Sequence, residues 1–166
     1  MGKSVAQYQK THPSPVGNLT LVCDEHALLA LWMDTPRHLA PVQASQRLPE
    51  GHALLTVACQ QLDEYFAKTR TRFDLPLKPQ GTLFQQSVWQ ALLQIPYGET
   101  RSYGAQAKAL GDEKAVRAVA AANGQNPIGI VIPCHRVIAA NGALTGYAGG
   151  LDRKAWLLRH EVPRLF

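Results

Sequence analysis

Acidic side chains, cysteines and long apolar runs are all scarce in this chain. Charged residues make up only 17% of its 166 positions and hydrophobic ones 46%, a balance that excludes a disordered polyelectrolyte and fits a globular protein. The three cysteines, Cys23, Cys59 and Cys134, are an odd number without CxxC spacing. That excludes a disulfide framework and points to a reducing compartment. The longest apolar run, Ala27 to Met33, is far too short to cross a bilayer. Met1 to Lys10 is polar and lacks the apolar core of a secretory signal. A cytoplasmic protein with no membrane partner is therefore expected. Neither internal repeats nor low-complexity segments occur. Gly2-Lys3-Ser4 looks like the end of a phosphate loop, but the upstream glycine is missing and the motif is discounted.

The charge that is present is uneven. Net charge is +5, with eight Lys/Arg against seven Asp/Glu in residues 1–80 and nine against five in residues 81–166. A basic C-terminal half is compatible with an anionic partner such as DNA, although many basic proteins bind none. The length suits one ordinary domain or two small ones, and a boundary is expected near residue 80, giving domains 1–80 and 81–166. In the first half, alternation over residues 17–33 predicts strands around a turn at Asp24-Glu25-His26. Residues 35–49 read as a loop or an irregular helix. Leu55, Ala58, Leu62, Tyr65 and Phe66 fall at helical spacing between His52 and Lys68. Phe73 to Gly81, with Pro76 and Pro79, reads as a linker.

In the second half, Thr82-Leu83-Phe84-Gln85 predicts a capping box, and Phe84, Val88, Leu92 and Ile95 a helical stripe stopped by Pro96. Ser102 caps a short helix ending at Leu110-Gly111, and Asp112 caps another running to about Ala122 and stopped by Asn123-Gly124. Two short helices joined by a tight glycine turn form a helix-turn-helix pattern. Ile128 to Ile132 is a strand candidate, Asn141-Gly142 a hairpin turn between Val137-Ile138 and Ala143-Leu144, and Asp152 a cap for a helix over 153–160. The second helix, Lys114-Ala115-Val116-Arg117-Ala118-Val119-Ala120-Ala121-Ala122, is poor in the polar side chains that read a major groove. Its methyl-rich surface with one projecting Arg117 suits a sequence-indifferent minor-groove fit, and an Ala-rich packed core helix is the plainer alternative.

The chemistry concentrates in Ile132-Pro133-Cys134-His135-Arg136-Val137-Ile138. Ionisable and cationic neighbours beside a cysteine suggest a thiol held as thiolate, its nucleophilic form. A free thiol is only a few per cent ionised near neutral pH, so a partner has to act on it. His135 is adjacent, yet neighbours on a strand point to opposite faces, so it reaches the sulfur only through a turn or a bridging water. Singly, each residue has a duller reading. Cys134 could be a small buried hydrophobe, Arg136 an internal ion-pair partner, Glu161 a solvated charge, Tyr103 a half-buried aromatic and Asn126 an Asx turn before proline. Cys23 and His26 with His12 make an incomplete zinc set, and no metal or cofactor is expected. Cys59 sits with Ala58 on an apolar helix face.

Taken in order, Phe84-Gln85, Ile95-Pro96-Tyr97-Gly98-Glu99, Ser102-Tyr103-Gly104, Arg117-Ala118-Val119, Asn126-Pro127, the Pro133–Val137 run, Gly146-Tyr147, Gly149-Gly150 and Trp156-Leu157-Leu158-x-x-Glu161 closely resemble the O6-alkylguanine-DNA alkyltransferases. These are the methylated-DNA–protein-cysteine methyltransferases. The resemblance covers residues 82–161 and is weak over 1–80. It implies an α+β protein: a small N-terminal antiparallel-sheet, ribonuclease-H-like domain, then a helix-turn-helix, winged-helix-like C-terminal domain. It also implies a single-turnover suicide enzyme acting on double-stranded DNA that carries O-alkylated bases, as a monomer with cooperative binding along DNA left open. In the roles it implies, Cys134 attacks, His135 takes the proton through water, Glu161 orients the histidine, and Tyr103 serves the leaving base. Asn126 braces the turn. Arg117 fills the stack left by the flipped base, beside DNA contacts from Ser102, Tyr103, Lys114, Ala118, Ala121 and Ala122. Tyr147, Val137, Ala148 and Gly149 line the pocket. Flipping is required in any case, because O6 and its substituent are inside the duplex. The thioether product cannot be exchanged by thiols. Ala120 stands where many relatives have glycine, which bears on DNA affinity. Two rivals are a lesion sensor, which would lack Cys134, and a Cys-His hydrolase, which would want a glycine-rich oxyanion loop beside it.

Overall fold

The computed structural model describes residues 6–33 and 52–163; the expected loop over 35–49 and the Gly2-Lys3-Ser4 motif lie outside them. The chain divides into two compact units, Met1–Pro79 and Gln80–Phe166. The fold is α+β.

The N-terminal unit is an antiparallel meander, β1 (Tyr8–His12), β2 (Leu19–Cys23) and β3 (Leu28–Met33), with β2 central. Its registers run Tyr8↔Cys23 to His12↔Leu19 and Leu19↔Met33 to Cys23↔Leu28, with a bulge at Val22/Cys23. The turn between β2 and β3 is an Asx turn: the Asp24 carboxylate accepts from the backbone N–H groups of His26 and Ala27 at 2.7 and 2.8 Å, which a short acidic side chain does well. Helix α1 (Ala53–Phe66) is capped by His52, whose Nδ1 accepts from Leu54 N–H at 3.0 Å. It buries Leu55, Ala58, Leu62 and Tyr65, the three- and four-residue spacing of one helix face. Strand β1 was not foreseen, since Pro13 and Pro15 obscure the alternation around it. The expected linker over 73–81 is partly ordered: Leu77 bridges Leu28 in parallel, through Leu28 N–H to Pro76 O and Lys78 N–H to Leu28 O.

The C-terminal unit opens with α2 (Leu83–Leu92), whose Thr82 and Gln85 form the expected reciprocal capping box. Val88, Trp89, Leu92 and Ile95 are buried, but Phe84 is 42% exposed. It sits in the first turn, clear of the packed stripe. Strand β4 (Arg101–Ser102) leads into α3 (Tyr103–Ala109), capped by Ser102, whose Oγ accepts from Ala105 N–H. Asp112 caps a 3-10 turn, Glu113–Ala115, which feeds α4 (Val116–Gly124). The helix ends at Gly124, at the expected Asn123-Gly124 stop. Three further expectations are corrected. Ile128, Ile130, Val131 and Ile132 are buried, but past a single bridge residue at Ile128 the segment turns, with Ile132 N–H bonded to Ile128 O at 3.0 Å and Ile130 at φ 68; an apolar run alone cannot separate a strand from a buried turn. The turn at Asn141-Gly142 forms, with Gly142 at φ 85, but no hairpin follows. Strand β5 (Val137–Ile138) instead pairs in parallel with β4. Helix α5 (Leu151–Glu161) starts after Gly150, so Asp152 lies within its first turn and is not the cap.

Candidate active site

Cys134, His135 and Arg136 form a 3-10 turn after Pro133. In a turn, the strand rule that sends neighbouring side chains to opposite faces does not apply. Cys134 is half-buried. Asn126 organises the approach to it. Its Oδ1 accepts from Ile128 N–H at 3.0 Å, while its Nδ2 donates to Ile132 O at 2.8 Å and to Cys134 Sγ at 3.3 Å. One buried amide thus closes the loop between α4 and the cysteine turn and places a donor on the sulfur.

His135 is fully buried and its Nε2–H donates to Glu161 Oε2 at 2.7 Å. The carboxylate accepts only, so the neutral ring carries its proton on Nε2 and offers Nδ1 as a base. That Nδ1 is buried and, among the described residues, has no hydrogen-bond partner. Arg136 takes the rest of the carboxylate, with Nε to Oε1 at 2.7 Å and Nη2 to Oε2 at 3.2 Å. Its Nη1 donates to Ile95 O at 2.7 Å and its guanidinium lies 5.8 Å from the Tyr97 ring centroid. Burial works against the Glu161 carboxylate, but His135 and the Arg136 guanidinium outweigh it and hold the carboxyl well below the usual range.

The cationic neighbours from which a thiolate was expected are turned to Glu161. Burial pushes the Cys134 thiol up and outweighs the Asn126 donor and the Lys154 charge. Burial likewise holds the His135 imidazole below its ordinary range against the pull of Glu161. Arg136 does not activate the sulfur because its charge is committed to Glu161. Both shifts favour the neutral thiol and the neutral imidazole.

A second cluster involves Tyr103, at the start of α3. Its hydroxyl donates to Thr145 O at 3.1 Å and accepts from Thr145 Oγ1 at 3.3 Å. Lys154 is fully buried, donates to Thr145 O at 2.7 Å and to the Tyr103 hydroxyl at 3.4 Å, and lies 5.7 Å from the Tyr103 ring centroid. Lys154 and Thr145 were missed by sequence reasoning. A signal existed for the lysine: Lys154 falls in one α5 stripe with Leu157, Leu158 and Glu161, where a solvated lysine does not belong.

The remaining candidates separate by exposure. Lys114, Arg117, Ala118 and Ala121 are exposed, and Ser102 and Tyr103 are half-buried. Ala122 is buried at 2% exposure, and its carbonyl accepts from Trp89 Nε1 at 2.9 Å. It therefore packs α4 against α2 and is withdrawn from the exposed face. Ala120 is intermediate. In the segment after the cysteine turn, Tyr147 and Gly149 are half-buried and Ala148 exposed. Burial, then the charges of Cys134 and Glu161, push the Tyr147 phenol well up, so it is a neutral hydroxyl within electrostatic reach of the sulfur. Val137 is fully buried and paired with Arg101 across β5 and β4, leaving it no free surface for a ligand. Among the described residues no group of three or more His, Cys, Asp or Glu is placed to hold a metal. His12 Nε2 instead contacts Asp63 Oδ1 at 2.7 Å.

The 6-O-methylguanine DNA methyltransferase DNA-binding domain matches residues 83–162, and the ribonuclease-like domain of the same proteins matches residues 7–79. The chain belongs to this family. The methylated-DNA–protein-cysteine methyltransferase of Methanosarcina acetivorans is 47% identical over 154 residues, 93% of this chain and 97% of the relative. Its namesake from Mycobacterium tuberculosis H37Rv is 48% identical over 157 residues, 95% and 93% of the two chains. The crystal structure of M. tuberculosis OGT in complex with DNA superposes with a TM-score of 0.83 at 46% identity, covering 95% of this chain and 94% of that one. Family and coverage extend through the N-terminal unit, where the sequence motifs alone were weak.

Proposed function

We propose that this protein repairs DNA by moving the alkyl group of O6-alkylguanine irreversibly onto Cys134 Sγ, one group per chain. The observation that carries the reading is the arrangement at the cysteine turn. A half-buried thiol receives an amide donor from Asn126 at 3.3 Å, beside a neutral imidazole whose Nε2–H is held by Glu161 at 2.7 Å and whose Nδ1 is free to accept a proton. The naming of the relatives as methylated-DNA–protein-cysteine methyltransferases and the DNA complex of the M. tuberculosis protein support it.

The resting neutrality fits the chemistry. A permanent thiolate would be open to oxidation, whereas a neutral thiol ionises only when a base takes its proton. In the proposed step the thiol proton passes through a water to His135 Nδ1, and Glu161 stabilises the imidazolium that results. The sulfur lone pair attacks the alkyl carbon, the carbon–O6 bond breaks, and its electron pair returns to the guanine. The Tyr103 hydroxyl gives the departing base a proton, and the Lys154 ammonium at 3.4 Å stabilises the phenolate left behind. Proton return from His135 to Tyr103 closes the balance as Cys–SH plus alkylguanine to Cys–S–alkyl plus guanine.

The base has to leave the stack to reach this sulfur. Helix α4 supplies the means. Arg117 projects from an exposed face whose neighbours Ala118 and Ala121 are small, so the helix backbone can lie close to a groove while one long side chain fills the gap. Lys114 and Ser102 contact phosphates, Asn126 braces the loop, and Tyr147, Ala148 and Gly149 border the alkyl pocket. Phosphate contacts make the affinity salt-sensitive and largely sequence-independent. The test is intact mass after mixing with excess duplex carrying O6-methylguanine, with peptide mapping. One added methyl on Cys134, saturating at one per chain, is expected. Tight lesion binding without a mass change would make the protein a sensor, and repeated turnover a hydrolase.

A further inference from the structure

Helices α3 and α4 pack against each other, and the apolar residues they bury, Ala107 on one and Val119 and Ala122 on the other, are mostly small. Between them lie two amides. Gln106 and Asn123 are 4% and 6% exposed, and they bond reciprocally: Gln106 Nε2 donates to Asn123 Oδ1 at 3.0 Å and Asn123 Nδ2 donates to Gln106 Oε1 at 2.8 Å. Stability alone does not account for this pair. Replacing both partners of a buried polar contact by apolar groups of the same shape is near neutral or stabilising, while leaving one unpaired is costly. What the amide pair adds is direction. An interface of methyl groups tolerates sliding, but two reciprocal hydrogen bonds fix register and rotation together, as a single buried polar contact does in a coiled coil.

The pair sits where register matters. Tyr103 is three residues before Gln106, one turn away along α3. On α4, Arg117 lies upstream of Asn123, and the Asn123 carbonyl accepts from Asn126 N–H at 3.3 Å. Asn126 in turn donates to Cys134 Sγ at 3.3 Å. The contacts thus run unbroken from the helix bearing Tyr103, through the amides, to the asparagine on the thiol.

We propose that Gln106 and Asn123 form a positioning clasp that holds α4, with Arg117 and the Asn126 brace, in register with Tyr103 on α3, so that a base displaced by one helix arrives between the thiol and the phenol. The clasp rests on the alkyl-transfer reading above. It acts on delivery of the base from duplex DNA and leaves the intrinsic reactivity of the pocket alone.

Three variants separate these roles. Q106M leaves Asn123 unpaired, Q106M/N123L replaces both amides by apolar groups of similar shape, and Q106N/N123Q exchanges them and preserves the summed length. Single-turnover methyl transfer is measured by intact mass from two sources, a saturating O6-methylguanine duplex and the free O6-methylguanine base, alongside thermal melting. Q106M/N123L is expected to melt at or above the wild-type temperature and still lose roughly tenfold in transfer from duplex, the scale set by sub-ångström to ångström misplacement. Its transfer from free base should stay within about twofold, because Tyr103 is also held by Thr145 and Lys154 and Asn126 by Ile128 and Ile132, contacts that do not run through the clasp. Q106M should show the same duplex defect with a lower melting temperature, and Q106N/N123Q should recover most of the duplex rate. Wild-type duplex transfer by Q106M/N123L, or an equal loss from both sources, overturns the clasp. A wild-type protein that takes methyl from neither source overturns the alkyl-transfer reading, and the clasp with it.

Discussion

The two units bury polar groups in opposite ways. Among the described residues, the buried polar side chains of the N-terminal unit are Asp24 and Gln61, and both serve nearby backbone. Asp24 closes a turn, and Gln61 clasps Asp74 through Gln61 Nε2 to Asp74 O and Asp74 N–H to Gln61 Oε1. The C-terminal unit buries His135, Arg136, Lys154, His160 and Glu161. Desolvating that many ionisable groups is expensive, and three of them, His135, Arg136 and Glu161, pair with one another beside a cysteine. The three cysteines show the same division. Burial and the Asp24 charge push Cys23 up to about 11, and burial raises Cys59. Burial raises Cys134 as well, but it alone of the three carries an amide donor and adjoins a histidine base. Burial of a thiol is common to both units; a proton acceptor beside it belongs to one.

The strongest test of that contrast exchanges the sulfurs. Cys134→Ser should remove methyl transfer by roughly a thousandfold or more, as loss of a nucleophile does elsewhere, whereas Cys23→Ala and Cys59→Ala should still gain one methyl per chain by intact mass. Next in size is Glu161→Gln, which strands Arg136 and His135. It should cost about 3 kcal/mol in denaturant unfolding and slow transfer. The pH dependence follows from two depressed pKa values. In the unfolded chain Glu161 takes a proton near pH 4.3, and in the folded chain only at much lower pH. Its contribution is therefore complete above about pH 4.3 and is lost as the pH falls below that. His135, also depressed when folded, contributes fully above about 6.5 and loses its share below. Wild-type stability should decline in both steps on acidification, and the lower step should shrink in Glu161→Gln. Transfer should stay flat as the pH passes down through about 6.5, the ordinary histidine value, because the folded imidazole remains neutral there. A rate that halves at 6.5 would mean His135 titrates normally and is not the buried base.

Lys154 is the intermediate case. Lys154→Met keeps much of the buried volume but removes the donor to Thr145 O and the Tyr103 hydroxyl. A loss of roughly 10- to 100-fold in single-turnover transfer is expected, with undamaged-duplex affinity little changed. Equal losses in both would place the lysine on DNA binding instead.

How much of this was legible differs between the units for a physical reason. Cys134, His135, Asn126 and Glu161 form an ordered set of unusual side chains, so their sequence order carried the site. Proximity along the chain to His135 and Arg136 did not show where their hydrogen bonds go: Glu161 takes both. Sequence did not show that Val137 and Ala122 are buried, because an apolar residue beside a site looks the same whether it faces a ligand or the core. Lys154 escaped because a lysine on an amphipathic helix is ordinarily solvated. Strand β1 was hidden by Pro13 and Pro15 just after it, and the partner of β5 was missed because β4 lies far away in sequence and runs parallel.

The smallest effect sharpens the comparison from the other side. Helix α1 ends at Phe66 with Ala67 as its C-cap, and the next residue, Lys68, is exposed and held at φ 64, with its N–H bonded to Tyr65 O at 3.1 Å. This is the left-handed position after a helix, where glycine avoids the steric penalty that a Cβ incurs. Lys68→Gly relieves that penalty, partly offset by the greater freedom of glycine in the unfolded chain. A net gain of about 0.5 kcal/mol is expected in chemical denaturation. Because the change touches a turn in the unit whose buried polar groups serve backbone alone, the methyl-transfer rate from duplex should be unaltered. A stabilised variant that transferred more slowly would show that the N-terminal unit takes part in the chemistry and that the division of labour between the units is wrong.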